Sequence, residues 1–164
     1  MNHRNYEEQK LAYEREINKP MAAFDVNPFI ITPDNRVVLA RRIPSVQDGG
    51  KWSMPGGKVF DGERIENALK RMTLLKTGLV IELMFPTLNE SLIGIYDNPG
   101  RDPRAHVVGV AFLCREVGGD IITGGNSGEV RAFSEEEVQD LELAFDHPEI
   151  IRDGYKLLRS KVTV

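Results

Sequence analysis

The sequence predicts an α/β fold, a sandwich of helices around a mixed sheet. Two features carry that expectation. Short β-favouring runs are interspersed with segments whose apolar residues recur at helical spacing, and burying both kinds of apolar face requires helices packed on a sheet. The chain has 164 residues, 41% of them apolar and 28% charged, enough for one filled core and too few for two ordinary domains.

Residues 6–17 are charged and helix-favouring, with Leu11 and Ile17 among few apolar positions, and predict a short solvated helix ending before Lys19 and Pro20. Residues 1–20 thus read as an N-terminal helical extension and 21–164 as the domain proper. Ala22 to Thr32 is apolar and β-rich; Pro28 within it predicts an edge strand or a bulge, because proline gives no N–H to a ladder. Pro33-Asp34-Asn35 is turn chemistry, and 36–42 resumes a strand, so the two runs form a hairpin. Residues 43–50 are a loop closed by Gly49 and Gly50, and 51–62, rich in glycine and holding Pro55, continue it. Ile65, Ala68, Leu69, Met72 and Leu75 recur at helical spacing across 64–77, and Gly78 is the natural stop. Four strand-like runs follow at 79–85, 91–97, 106–114 and 128–133, with a long turn over 97–104. Ser134 and Glu137 make a capping box for a short helix. Asp146-His147-Pro148-Glu149 opens a last helix with proline in its first turn. There is no internal repeat.

The net charge of −4 argues against a general nucleic-acid binder, which carries a basic face. It leaves room for a small anionic ligand held by a few local cations. The single cysteine, Cys114, excludes an intrachain disulfide and reads as a buried small hydrophobe in a strand. Met1 to Lys10 is polar, unlike a signal peptide, and no apolar stretch of about 18 residues offers a membrane span. The expected location is the cytoplasm, with no membrane or nucleic-acid partner; a homodimer is left open.

Gly57 to Leu79 resembles the Nudix box, whose family pattern is G-x5-E-x7-R-E-U-x-E-E-x-G-U with U a bulky aliphatic residue. Gly57, Glu63, Arg71, Gly78 and Leu79 match at the required spacing, and residues 52–59 are similar to the family's approach to the box. The segments 95–106, 129–133 and 143–147 resemble the ADP-ribose pyrophosphatase branch; Arg71-Met72-Thr73 with Gly78-Leu79 also leans toward the GDP-mannose mannosyl hydrolases. The resemblance implies a Nudix domain over 21–164, with the α/β/α sandwich of that family around its mixed sheet, and a hydrolase acting on a nucleoside diphosphate linked to another group, ADP-ribose or a nucleotide sugar.

The departures bear on mechanism. In place of R-E-U-x-E-E the chain has Arg71-Met72-Thr73-Leu74-Leu75-Lys76, so the box glutamates that hold Mg²⁺ in the family are replaced. Mg²⁺ takes about six oxygen ligands, commonly one or two carboxylates with phosphate and water; methionine and leucine offer none, and a lysine ammonium repels a cation. The expectation is a degenerate metal site, with Gly57 (through its carbonyl) and Glu63 as weak remaining ligands for Mg²⁺. An alternative is an inactive domain that binds a nucleotide-like ligand or a protein partner. Candidate catalytic residues are Glu63, Arg71, Glu129 and His106, with Glu63 and Arg71 read foremost as a structural ion pair and Glu66 with Lys70 as a solvated i,i+4 pair. Candidate substrate-binding residues are Arg42, Lys76, Arg101, Arg104 and Trp52, with Phe60 also beside the box. Lys76 is either an exposed helix lysine or an ammonium standing where the metal would, in contact with a diphosphate.

Overall fold

The computed structural model describes residues 3–17 and 21–162. In chain order its elements are α1 (His3–Ile17), β1 (Ala23–Ile31), β2 (Val37–Arg42), β3 (Trp52–Ser53), β4 (Gly57–Lys58), α2 (Ile65–Thr77), β5 (Leu79–Leu83), α3 (Leu88–Ser91), β6 (Leu92–Tyr96), β7 (Val107–Gly119), β8 (Ser127–Phe133), α4 (Glu135–Gln139) and α5 (His147–Val162). The Lys19-Pro20 stop expected after α1 lies outside the described residues.

The sheet is mixed. Its main path runs β3-β2-β1-β7-β5, with β4 on β1, β6 on β7 and β8 on β2. The β1–β7 pair is parallel over nine registered positions, and the other pairs are antiparallel. β1 is therefore central, which corrects the reading of Pro28 as an edge or bulge marker. On the side away from β7, β1 pairs with β4 at Asp25 and Val26 and with β2 at Ile31. Ala23 N–H points to β7 and the Phe24 carbonyl to the β4 side, so by the alternation of strand groups the Pro28 nitrogen faces the gap between β4 and β2, where no ladder bond is lost.

Alternation along β1 splits the core in two. Phe29 and Ile31 join Leu39, Trp52, Leu113, Phe133, Ile150 and Tyr155 beneath α5. Val26 and Ile30 join Val38, Ala68, Leu69, Leu79, Phe112 and Cys114 beneath α2. Cys114 is fully buried, as its apolar run predicted. α2 ends as expected: Gly78 adopts φ 74°, and its N–H bonds the Leu74 carbonyl. A side chain there would meet the Asp120 carbonyl at 2.4 Å, so glycine is required by both conformation and space. The capping box at Ser134 and Glu137 forms.

Candidate functional site: a cationic cleft

A cleft of about 180 Å³ opens where the first half of β1, the 54–58 segment, α2, the 101–104 turn and the start of α5 converge. Its wall includes Arg42, Lys58, Lys76, Arg101 and Arg104 against only two carboxylates, Asp25 and Asp102. Four of the expected substrate-binding residues (Arg42, Lys76, Arg101 and Arg104) are thus gathered with Gly57 from four separate stretches of chain.

These cations are not equivalent. Arg101 is clamped by two bonds to Asp146, Nε to Oδ2 at 2.6 Å and Nη2 to Oδ1 at 2.8 Å. Its guanidinium lies on Gly109 of β7, where a Cβ would sit 2.8 Å from Nη1; the missing side chain makes the room. Arg104 is similarly held by Asp102, at 3.0 and 2.7 Å, and its bonds keep the Asp102 carboxyl below the usual range. Arg42 is 7% exposed; its Nε donates to the Gln47 carbonyl at 2.6 Å, but its Nη2 is buried without a partner. Lys76 is neither exposed nor paired with an acid: its Nζ donates to the Gly56 carbonyl at 2.7 Å. Burial, then repulsion by Arg42, pushes its pKa down to about 8. Arg101 and Arg104 are thus neutralised by their own partners, while Arg42 and Lys76 leave the cleft electropositive.

Phe145 packs against this set, with Arg42 and Arg104 over its ring at 4.9 and 5.3 Å from the centroid. Its backbone is left-handed (φ 51°), and its N–H is held at 2.8 Å by the Asp48 carboxylate. His147, at the start of α5, is 5% exposed; its Nδ1 accepts the Met54 N–H at 3.1 Å, which leaves the ring proton on Nε2. Burial holds its pKa down to about 3, so the ring is neutral at ordinary pH.

The remaining sequence candidates lie elsewhere. Trp52 is 8% exposed, stacked edge-on against Phe133 at 4.8 Å in the core, and does not reach the cleft. Its backbone bonds Glu142 and Ala144, each at 2.8 Å, and so fixes the segment leading to Phe145. His106 is exposed, with Nε2 3.1 Å from the Asp97 carbonyl, and does not line the cleft. Glu63 and Arg71 form a two-point clasp, at 2.6 and 2.8 Å. Glu63 also accepts the Phe60 N–H, and Arg71 reaches the Lys58 carbonyl and lies over the Phe60 ring at 4.1 Å. The clasp ties the loop to α2 and is not part of the cleft wall. Glu129 sits on β8 opposite Arg41, half exposed, between Arg41 and Arg131 at 4.0 and 3.9 Å. Glu66 and Lys70 pair at 2.9 Å on the solvated face.

The residues on α2 do not fit Mg²⁺. The Met72 methyl lies against Gly57, 2.5 Å from where a Cβ would be, Leu75 is 54% exposed, and the Lys76 ammonium already occupies the Gly56 carbonyl. Among the described residues no group of three or more His, Cys, Asp or Glu side chains is gathered as a metal centre. Asp102 is taken by Arg104, leaving Asp25 as the unpaired carboxylate of the wall.

Sequence reasoning missed Asp25, Asn27, Phe145 and His147. Asp25 and Asn27 carried a usable signal: two polar residues at i and i+2 within an apolar run mark one strand face that is not core. Phe145 and His147 fall in the 143–147 segment that resembles the ADP-ribose pyrophosphatase branch, and His147 also in a helix opening, but neither reading gives them a role in the site.

The family model for the NUDIX domain matches residues 22–154. The chain is 36% identical over 124 residues to the ADP-ribose pyrophosphatase of Methanocaldococcus jannaschii, covering 76% of this chain and 68% of that protein. The solved NUDIX domain of Shewanella oneidensis NrtR, a complex with ADP ribose, superposes with TM-score 0.73 at 23% identity, covering 96% of this chain and 99% of that one. A MutT/nudix family protein of Enterococcus faecalis superposes with TM-score 0.71 at 24% identity, over 93% and 69% of the two chains. The chain belongs to the Nudix family, and the expected mixed-sheet sandwich is the fold it has. No helix among the described residues is long and apolar enough to cross a membrane.

Proposed function

We propose that this cleft takes the diphosphate of an ADP-ribose-like compound, with Lys76 and Arg42 supplying the positive charge that Mg²⁺ supplies in a box with its glutamates. The observation that carries the reading is the Lys76 ammonium, half-buried in the cleft wall without a bonded acidic partner and 2.7 Å from a backbone carbonyl of the box. A diphosphate offers such an ammonium, and the unpartnered Arg42 Nη2, charge-assisted hydrogen bonds. The similarity to an ADP-ribose pyrophosphatase supports the choice of ligand class. Residues 21–164 then act as the binding domain, with 1–20 as an appendage.

An ammonium can balance a diphosphate but does not bind and ionise water as a metal does. Neutral His147, with Nδ1 engaged by Met54, is an N–H donor rather than a general base. The reading is therefore recognition in the absence of metal, with hydrolysis slow. Of the two weak Mg²⁺ ligands expected, Gly57 lines the cleft, whereas both Glu63 oxygens are engaged by Arg71 and the Phe60 N–H away from it. A second reading, a hydrolase with ordinary turnover, is favoured by the 36% identity to an ADP-ribose pyrophosphatase.

The test is calorimetric titration of ADP-ribose in EDTA, alongside a hydrolysis assay in millimolar Mg²⁺. Binding in EDTA that weakens roughly ten- to a hundredfold in Lys76→Met, the worth of one charge-assisted contact, is the expected result. Equal affinity of the two proteins rejects the role of Lys76. Fast Mg²⁺-dependent turnover by the unmodified chain rejects recognition without catalysis in favour of the second reading.

A further inference from the structure

The described residues contain five buried side-chain polar atoms without a partner, and three of them belong to residues of the cleft wall: Asp25 Oδ1, Asn27 Nδ2 and Arg42 Nη2. Buried polar atoms in folded proteins are normally satisfied, so a cluster of exceptions around one cavity describes what the cavity is built to receive. Asn27 and Arg42 are 5% and 7% exposed. Asp25 and Asn27 lie two apart on β1 and share a face. Their registered neighbours on β7 are Gly109, on which the Arg101 guanidinium lies, and Ala111.

A diphosphate answers only part of this pattern. Its oxygens accept from Asn27 Nδ2 and Arg42 Nη2, but it has nothing to give the Asp25 carboxylate and repels it. Asp25 is surrounded by Arg101, Lys58 and Lys76, with Asp102 the opposing acid, so a cationic ligand group is disfavoured as well. A neutral group that both donates and accepts fits, and a hydroxyl is the smallest that does. It also satisfies Asp25 in either protonation state, which matters because burial raises this carboxyl above its ordinary range.

We infer that Asp25 is a specificity-determining residue that recognises a sugar hydroxyl, Asn27 beside it bonding an oxygen of the same ligand, so that the cleft selects diphosphates carrying a hydroxylated sugar over bare diphosphates. The inference rests on the diphosphate reading of the cleft and adds to it the group that discriminates among diphosphates. Sites that pair a buried polar group with a substrate hydroxyl reject analogues lacking it far more strongly than apolar pockets reject a missing methylene.

The experiment titrates ADP-ribose and inorganic pyrophosphate, both in EDTA, into the wild type, Asp25→Ala and Asp25→Asn. In Asp25→Ala the preference for ADP-ribose over pyrophosphate is expected to fall by about tenfold or more, with pyrophosphate bound as well as before or better because a negative charge has gone. Asp25→Asn, which keeps an acceptor, is expected to gain pyrophosphate affinity likewise while retaining ADP-ribose. Neither variant removes a side-chain partner of Asp25, so thermal unfolding of both at or above the wild-type temperature is expected and checks that they fold. A preference unchanged in Asp25→Ala overturns the inference alone. Wild type that binds neither ligand removes the diphosphate reading and this inference with it.

Discussion

Replacing Lys76 by methionine should make the protein more stable while making it a poorer binder. In the folded chain the ammonium is desolvated and stands near Arg42, which holds its pKa down to about 8 from an ordinary 10.5. A depression of that size corresponds to roughly 3 kcal/mol of folded-state destabilisation while the side chain is charged in both states. The bond to the Gly56 carbonyl offsets about 1 kcal/mol of this, so Lys76→Met, which keeps the length of the chain, is expected to gain about 2 kcal/mol at pH 7. For a domain of this size that is a rise of roughly 4–8 °C in Tm. The sign follows from linkage. A lysine whose folded pKa is depressed costs stability fully below that pKa, and the cost fades as pH rises from about 8 towards 10.5. The gain should accordingly be present in calorimetric scans at pH 6 and 7 and should shrink by pH 10. A variant less stable than wild type at pH 7, or a difference that does not change with pH, would refute the picture of a strained ammonium kept for a ligand.

Three further outcomes are expected. Glu63→Gln should lower Tm at neutral pH, because bonds from Arg71 and the Phe60 N–H hold the Glu63 carboxyl down to about 2; a depressed carboxyl contributes stability above its ordinary pKa and loses it as pH falls, so the two proteins should converge between pH 4.5 and 2, and a pH-independent difference contradicts the clasp. Wild type should show no saturable Mg²⁺ uptake at millimolar concentration by calorimetry, whereas the triple change Met72→Glu, Leu75→Glu and Lys76→Glu should acquire it, and an ordered ion on α2 of the wild type would count against the degenerate site. Cys114, fully buried and with its thiol pKa raised by that burial, should resist a thiol reagent until denaturant unfolds the sheet, and rapid native labelling would show that the strand opens.

Long elements and those with chemical end signals were legible in the sequence. α2 was fixed at both ends by apolar spacing and Gly78, and α4 by its capping box. β3 and β4, two residues each, and α3, four residues, have no room to express a period and vanished into loop or strand readings. Pro28 misled because the rule against proline in central strands concerns the ladder, and β1 changes partners beside it. In the site, the motif's fixed geometry made Lys76 and Gly57 legible. Asp25, Phe145 and His147 meet them only through the fold, from positions up to 90 residues away; the polar pair in β1 and the family-like 143–147 segment mark those stretches, but neither shows that they converge. Trp52 and His106 show the converse: adjacency in sequence to a motif or an arginine-rich turn did not bring either side chain to the cleft.

On the proposed reading, a cation built into α2 bears on what ligand binding responds to. A bound metal enters a site according to its free concentration, so a metal-dependent diphosphate site reports two variables at once. The Lys76 charge is part of the chain and is present whatever the divalent ion pool, subject only to protonation and to screening by salt. On the diphosphate reading proposed above, occupancy of the cleft should track the ligand itself, through shifts in magnesium that would alter a conventional box, and chelating agents should leave it intact.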